Sequence, residues 1–235
     1  MYRNTFLSVM FLACCFNGSL CAQSDAQIYE RTCDAKTYPF SDPSPVATPN
    51  NSYYPYFRFD GFSMQAQEKQ WKMVVLENDY VKLTVTPEIG GKIWGAIDKV
   101  NNKEFVYTNG VVKFRDVAMR GPWTSGGIEF NFGIIGHAPT CSTPIDYLTK
   151  KNVDGSVSCH IFSYEWITRT VWNVEINLPK DKAYFTTHTT WFNQSSIDQP
   201  YYQWMNAGYA TKTGTRFYYP GTYSIGHSGD LHPYP

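Results

Sequence analysis

No excess of charge of either sign marks this chain: over 235 residues, 20 Lys and Arg meet 20 Asp and Glu. A nucleic-acid binder needs surplus cations to neutralise phosphates, so that class is excluded. Charge of any sign is sparse at 17%, while 43% of residues are hydrophobic, enough for a core and unlike a disordered tail. No CxxC pair and no Cys/His pair stands at ligand spacing, which argues against a cysteine-built zinc site and leaves no metal or cofactor to expect. No apolar run reaches the ~18 residues of a membrane-spanning helix. No segment repeats apolar residues at helical spacing over three turns. No internal repeat of ~20–50 residues suggests a solenoid or propeller.

Aromatic residues are plentiful at 17%, with 18 Tyr, 15 Phe and 7 Trp, a composition suited to strands and to flat apolar ligand faces. Residues 1–22 read as a secretory signal. Arg3 is the positive start, Thr5 to Phe16 (TFLSVMFLACCF) the apolar stretch, and small residues surround a cleavage point near Cys21 and Ala22. A buried N-terminal helix and a lipoprotein signal around Cys14 are the alternatives. Export to the periplasm or the cell exterior is the expectation. The mature chain keeps Cys33, Cys141 and Cys159, an odd number that allows at most one internal disulfide.

Residues 23–70 contain Pro39, Pro43, Pro45, Pro49 and Pro55 beside the aromatic run Tyr53 to Phe57, and read as an extended arm. From residue 71 to 235 the period is two. Val81, Leu83 and Val85 alternate with Lys82, Thr84 and Thr86. Trp172, Val174, Ile176 and Leu178 share one face, opposite Asn173, Glu175 and Asn177. Further strands are expected over 92–98, 104–108, 182–192 and 201–211. The pattern predicts an all-β, antiparallel sandwich.

The most informative stretch runs from Arg120 to Tyr147 (RGPWTSGGIEFNFGIIGHAPTCSTPIDY). No Gly-Lys-Ser/Thr follows its glycines and no helix opens behind them, so a phosphate cradle is excluded. Glycines that let backbone approach a ligand, with carboxylates and an aromatic face alongside, fit a sugar site better. Glu129 reads as a general acid/base or hydroxyl ligand, or else as a carboxylate capping loop amides. His137 reads as a proton-transfer partner or a carbonyl-bonded loop imidazole. Asp146 reads as a second carboxylate or a turn former. If Glu129 and Asp146 were a catalytic pair, their separation would decide between retaining and inverting glycoside hydrolysis. Trp123 offers a stacking face, Arg120 a bidentate cation, and Trp204 and Asn206 a late strand facing the same cleft.

Several motifs resemble the domain-of-unknown-function 5107 family: Leu76 to Tyr80, Pro87 to Ile93, Gly121 to Asn131 (GPWTSGGIEFN), His137 to Thr140, Pro144 to Tyr147 and Trp204 to Ala207. The resemblance runs in order from about Asp60 to the C-terminus. It implies a galactose mutarotase-like antiparallel supersandwich that recognises or processes carbohydrate. It also implies exported proteins of Bacteroidetes type, often with tetratricopeptide repeats after the β domain. Residues 71–235 are shorter than the ~200–250 residues usual for large sandwiches, so the expectation is an incomplete supersandwich, the N-terminal part of a longer protein. The functional expectation is binding or processing of an oligosaccharide or polysaccharide by a glycosidase, lyase or epimerase. The alternatives are a non-catalytic carbohydrate-binding module and an inactive fragment. Nothing in the sequence indicates an oligomeric state.

Overall fold

The structure is a computed structural model that describes residues 24–40, 61–116, 122–133, 138–200, 202–226 and 228–234. The signal segment, Arg120 and His137 lie outside the described residues. The strands are, in chain order, β1 (Gln27–Tyr38), β2 (Gln67–Glu77), β3 (Val81–Thr86), β4 (Lys92–Asp98), β5 (Lys103–Val106), β6 (Val112–Lys113), β7 (Arg115–Asp116), β8 (Pro122–Trp123), β9 (Ile128–Asn131), β10 (Asp146–Lys151), β11 (Val157–Glu165), β12 (Thr170–Leu178), β13 (Thr186–Asn193), β14 (Trp204–Ala207), β15 (Tyr223–Ile225) and β16 (Leu231–Pro233). The only helical pieces among the described residues are short 3-10 turns at Pro87–Ile89 and Pro139–Ser142. No helix there is long and apolar enough to cross a membrane. The protein is an all-β sandwich.

Besides the two-stranded pairs β7-β8 and β15-β16, two sheets make the sandwich: one of eight strands runs β14-β9-β4-β3-β2-β1-β6, with β5 attached to β4, and the other is the meander β10-β11-β12-β13. Pairing is antiparallel except for the two-residue β1–β6 contact. The core lies between the sheets. Val74, Leu76, Leu83, Val85, Ile93, Ile128 and Phe130 come from the large sheet, and Val157, Cys159, Ile161, Trp172, Val174 and Ile176 from the small one. The period-two reading of β3 and β12 is therefore literal, because alternate residues point into this layer. Phe132 stacks on Trp172 with ring centroids 4.5 Å apart, tying the end of β9 to the facing sheet. Asn78, 4% exposed, ties the sheets at one corner. Its amide donates to the carbonyls of Pro179 (2.7 Å) and Lys182 (2.8 Å), and its oxygen accepts from the backbone amides of Tyr80 and Val81.

The region expected to be an arm differs from its reading. Residues 27–38 form a regular strand, paired with β2 at eleven successive positions. The prolines that argued against a strand begin at Pro39, one residue beyond its end. The strand after the Asp98 loop ends at Val106 rather than at residue 108, and the last expected strand shrinks to Trp204–Ala207.

The opposite face of the large sheet carries Trp71, Met73, Trp94, Val112 and Phe114 as a second, smaller apolar cluster. Val75 is buried on the same side, and Cys33 and Ala35 of β1 pack against the cluster. That face holds the candidate site.

Candidate functional site

Three strands of the large sheet bring the polar side chains together. Ile93 on β4 pairs with Ile128 on β9, and both side chains enter the core. Antiparallel register then places the preceding residue of one strand beside the following residue of the other, so Lys92 faces Glu129 on the opposite side of the sheet. On the far side of β9, Asn206 pairs with Glu129 and Trp204 with Asn131. The result is a row, Lys92–Glu129–Asn206, running across β4, β9 and β14, with Asn131 and Trp204 one step along.

The row is dry. The side chains of Lys92 and Glu129 are 1% and 2% exposed, with the ammonium 3.9 Å from Oε2. That separation is an ion pair beyond hydrogen-bonding distance. Oε1 of Glu129 accepts from the amides of Asn131 at 2.9 Å and Asn206 at 3.5 Å. Lys92 Nζ donates to the carbonyl and, at 3.0 Å, to the hydroxyl of Thr124. It also lies 5.9 Å from the centre of the Trp123 ring, within the range of a cation–π attraction. Asn131 Oδ1 in turn accepts the Ala138 amide, which fixes the start of the 3-10 turn that carries Cys141.

Burial lowers the pKa of Lys92 below the usual lysine range, and the charge of Glu129 only partly offsets that. Burial likewise pushes the Cys141 thiol well up, with the Glu129 charge adding to it, so Cys141 is a neutral thiol and not a nucleophile at ordinary pH. The arrangement is a carboxylate able to accept or return a proton, held by two amides, beside a cation that balances its charge.

The paired glycines build this site. Gly126 and Gly127 have φ of +77° and +67°. A Cβ on Gly127 would stand 2.3 Å from the Ile93 carbonyl oxygen and 3.2 Å from Lys92 Cγ and Cδ. The close approach foreseen for a ligand is made to the protein's own Lys92 and its neighbour.

Of the residues singled out from sequence, Glu129, Asn206, Trp204 and Trp123 fall on or over this row. Asp146 is exposed at the first position of β10, opposite Phe162 in the small sheet. The turn at Pro139–Ser142 carries the chain from β9 to the other layer before Asp146 is reached. Lys92, Thr124 and Asn131 were not singled out. The signal for Lys92 is its place directly after Gly90-Gly91 and two residues before Trp94 on an otherwise apolar strand. No disulfide joins Cys33, Cys141 and Cys159. Among the described residues no group of three or more His, Cys, Asp or Glu is placed to hold a metal ion.

A family model described as Domain of unknown function (DUF5107) matches residues 48–235. A crystal structure of a TPR-domain containing protein from Parabacteroides distasonis ATCC 8503 superimposes with a TM-score of 0.72 at 26% identity. The match covers 79% of this chain and 32% of that one, so the chain spans about a third of that protein's length.

Proposed function

The chain belongs to the DUF5107 family, and we propose that this member is an exported, carbohydrate-active protein that binds or processes a glycan on the Lys92–Glu129–Asn206 face of its large sheet. Its sandwich is of galactose mutarotase type in this reading, and the signal-like residues 1–22 support export. The observation that carries the reading is the buried Lys92–Glu129 pair itself. Taking two charges out of water costs several kcal/mol per ion after relaxation, and an apolar pair of similar volume would be cheaper. A charged pair kept at that cost beside a half-buried Trp is a marker of chemistry rather than of packing.

Glu129 is the proton-transfer group. It takes a proton from the sugar, or gives one to a departing oxygen, while Lys92 compensates its charge and the two asparagine amides hold Oε1 in place. Trp123 and Trp204 supply flat faces for a pyranose ring. A second reading is a non-catalytic carbohydrate-binding module. It is favoured by the near-complete burial of both charged groups, which limits direct access of a substrate to Glu129.

Incubation of the protein and of Glu129→Gln with a panel of plant and host polysaccharides separates the two. New reducing ends or unsaturated products formed by the wild type and lost in the variant are the expected result. Equal retention of both proteins on a glycan, with no product from either, would replace catalysis by binding. No product and no retention would end the carbohydrate reading altogether.

A further inference from the structure

A recess opens on the same face of the large sheet as the Glu129 row. It encloses about 370 Å³ over β1, β3 and β4, within the ~300–1,000 Å³ of small-molecule sites. Trp94, 8% exposed, lies in its lining with Met73 and Val112. Around them stand Arg31, Lys36 and Lys82 with Asp34 and Glu104, three cations and two carboxylates. Trp94 lies two residues from Lys92 on β4, so both project from one side of that strand.

The wall that completes the recess is residues 108–112, and it adjoins the segments that carry Glu129 and Asn206. The adjoining Tyr107 amide donates to the Gly208 carbonyl, two residues after Asn206, and the Tyr107 carbonyl accepts from Gly127, two residues before Glu129. Asn109 Nδ2 donates to Ser125 Oγ at 2.7 Å. One short segment therefore lines the recess and is hydrogen-bonded to the chain just before Glu129 and just after Asn206.

We infer that this recess is a subsite for a neutral pyranose unit, next along the glycan chain from the unit at Glu129. The inference rests on the carbohydrate reading above. Sugar hydroxyls both donate and accept, so carboxylates and cations on facing walls can each be matched by one ring. An indole in the lining meets the apolar ring face. Free phosphate or a simple carboxylic acid would use the cations and be repelled by Asp34 and Glu104.

Isothermal titration of the 235-residue chain with neutral galactan, mannan and xylan oligosaccharides, one to six units long, tests it. The expected result is a rise in affinity of about tenfold between two consecutive lengths of one series. The double variant Arg31→Ala/Glu104→Ala, at two exposed rim positions, is expected to lose that rise while binding the shorter sugar as the wild type does. An identical length dependence in wild type and variant would overturn the subsite and leave the Glu129 reading standing. Failure of the wild type to bind any member of the three series would overturn both. Circular dichroism of the variant establishes that a lost rise is not a lost fold.

Discussion

Removing one member of the Lys92–Glu129 pair should harm the fold far more than removing both charges together. At 3.9 Å, and with an effective dielectric constant of about 20, two unit charges attract by roughly 4 kcal/mol. Lys92→Met leaves the Glu129 carboxylate buried without a counter-charge. Glu129→Gln keeps an oxygen for Asn131 and Asn206 but leaves the ammonium with Thr124 and the Trp123 ring and no counter-charge. Each single change is expected to cost about 3–5 kcal/mol, the usual penalty for an uncompensated buried charge. For a chain of this size that lowers the melting temperature by roughly 6–20 °C. The double variant Lys92→Met/Glu129→Gln strands no charge, so it should recover at least about 2 kcal/mol relative to the sum of the singles. Urea unfolding followed by tryptophan fluorescence on all four proteins gives the coupling. Additivity within about 0.5 kcal/mol would refute the pair as an interacting unit and with it the electrostatic reading of the site.

Gly127→Ala should destabilise by about 2–4 kcal/mol in urea, because a left-handed backbone and an overpacked contact with the Ile93 carbonyl add together. Gly214→Ala is the control: its φ is +87° but nothing lies within 4 Å of the added carbon, so only about 1–2 kcal/mol is expected. Asn78→Ala removes four hydrogen bonds at the corner between the sheets and should cost roughly 2–4 kcal/mol by the same assay, since buried carbonyls and amides lose their partners. Burial raises Cys159 to about 12, whereas an unfolded cysteine titrates near ~8.5. Its contribution to stability is therefore fully present below that unfolded value and is lost as pH rises toward the folded one. Above the unfolded value the unfolded chain binds fewer protons, and stability should fall by about 1.4 kcal/mol per pH unit from this residue. Guanidinium titrations between pH 8 and 10.5 should show a shallower fall in Cys159→Ala; an unchanged slope would disprove the linkage.

Much of the fold is legible because a sandwich buries one side of each inner strand. Val81 to Thr86 and Trp172 to Leu178 alternate visibly, since their outward neighbours are polar. β1 hides the same geometry: Glu30, Arg31, Asp34 and Lys36 keep it polar, and it is exposed along much of both faces. Its eleven pairings with β2 make it a strand, and nothing local announces them. The site divides the same way. Glu129 is conspicuous between glycines and apolar residues, and Trp123, Trp204 and Asn206 stand out by chemical type. Lys92 is inconspicuous because a lysine opening a strand ordinarily faces water. Asp146 misleads because closeness in sequence to Glu129 says nothing about layer once the chain has crossed to the other sheet.

From the sequence by itself came the strands, the turns that require glycine, and a carboxylate in an apolar setting. Those features depend on local sterics and on the two-residue period of a strand, which a linear pattern records. The partner of that carboxylate was decided by tertiary structure alone. One residue's difference in the register of β4 against β9 would turn Lys92 into the core and Ile93 out of it. That register is set by the packing of Ile93 and Ile128 against the facing sheet, an interaction between segments distant in the chain.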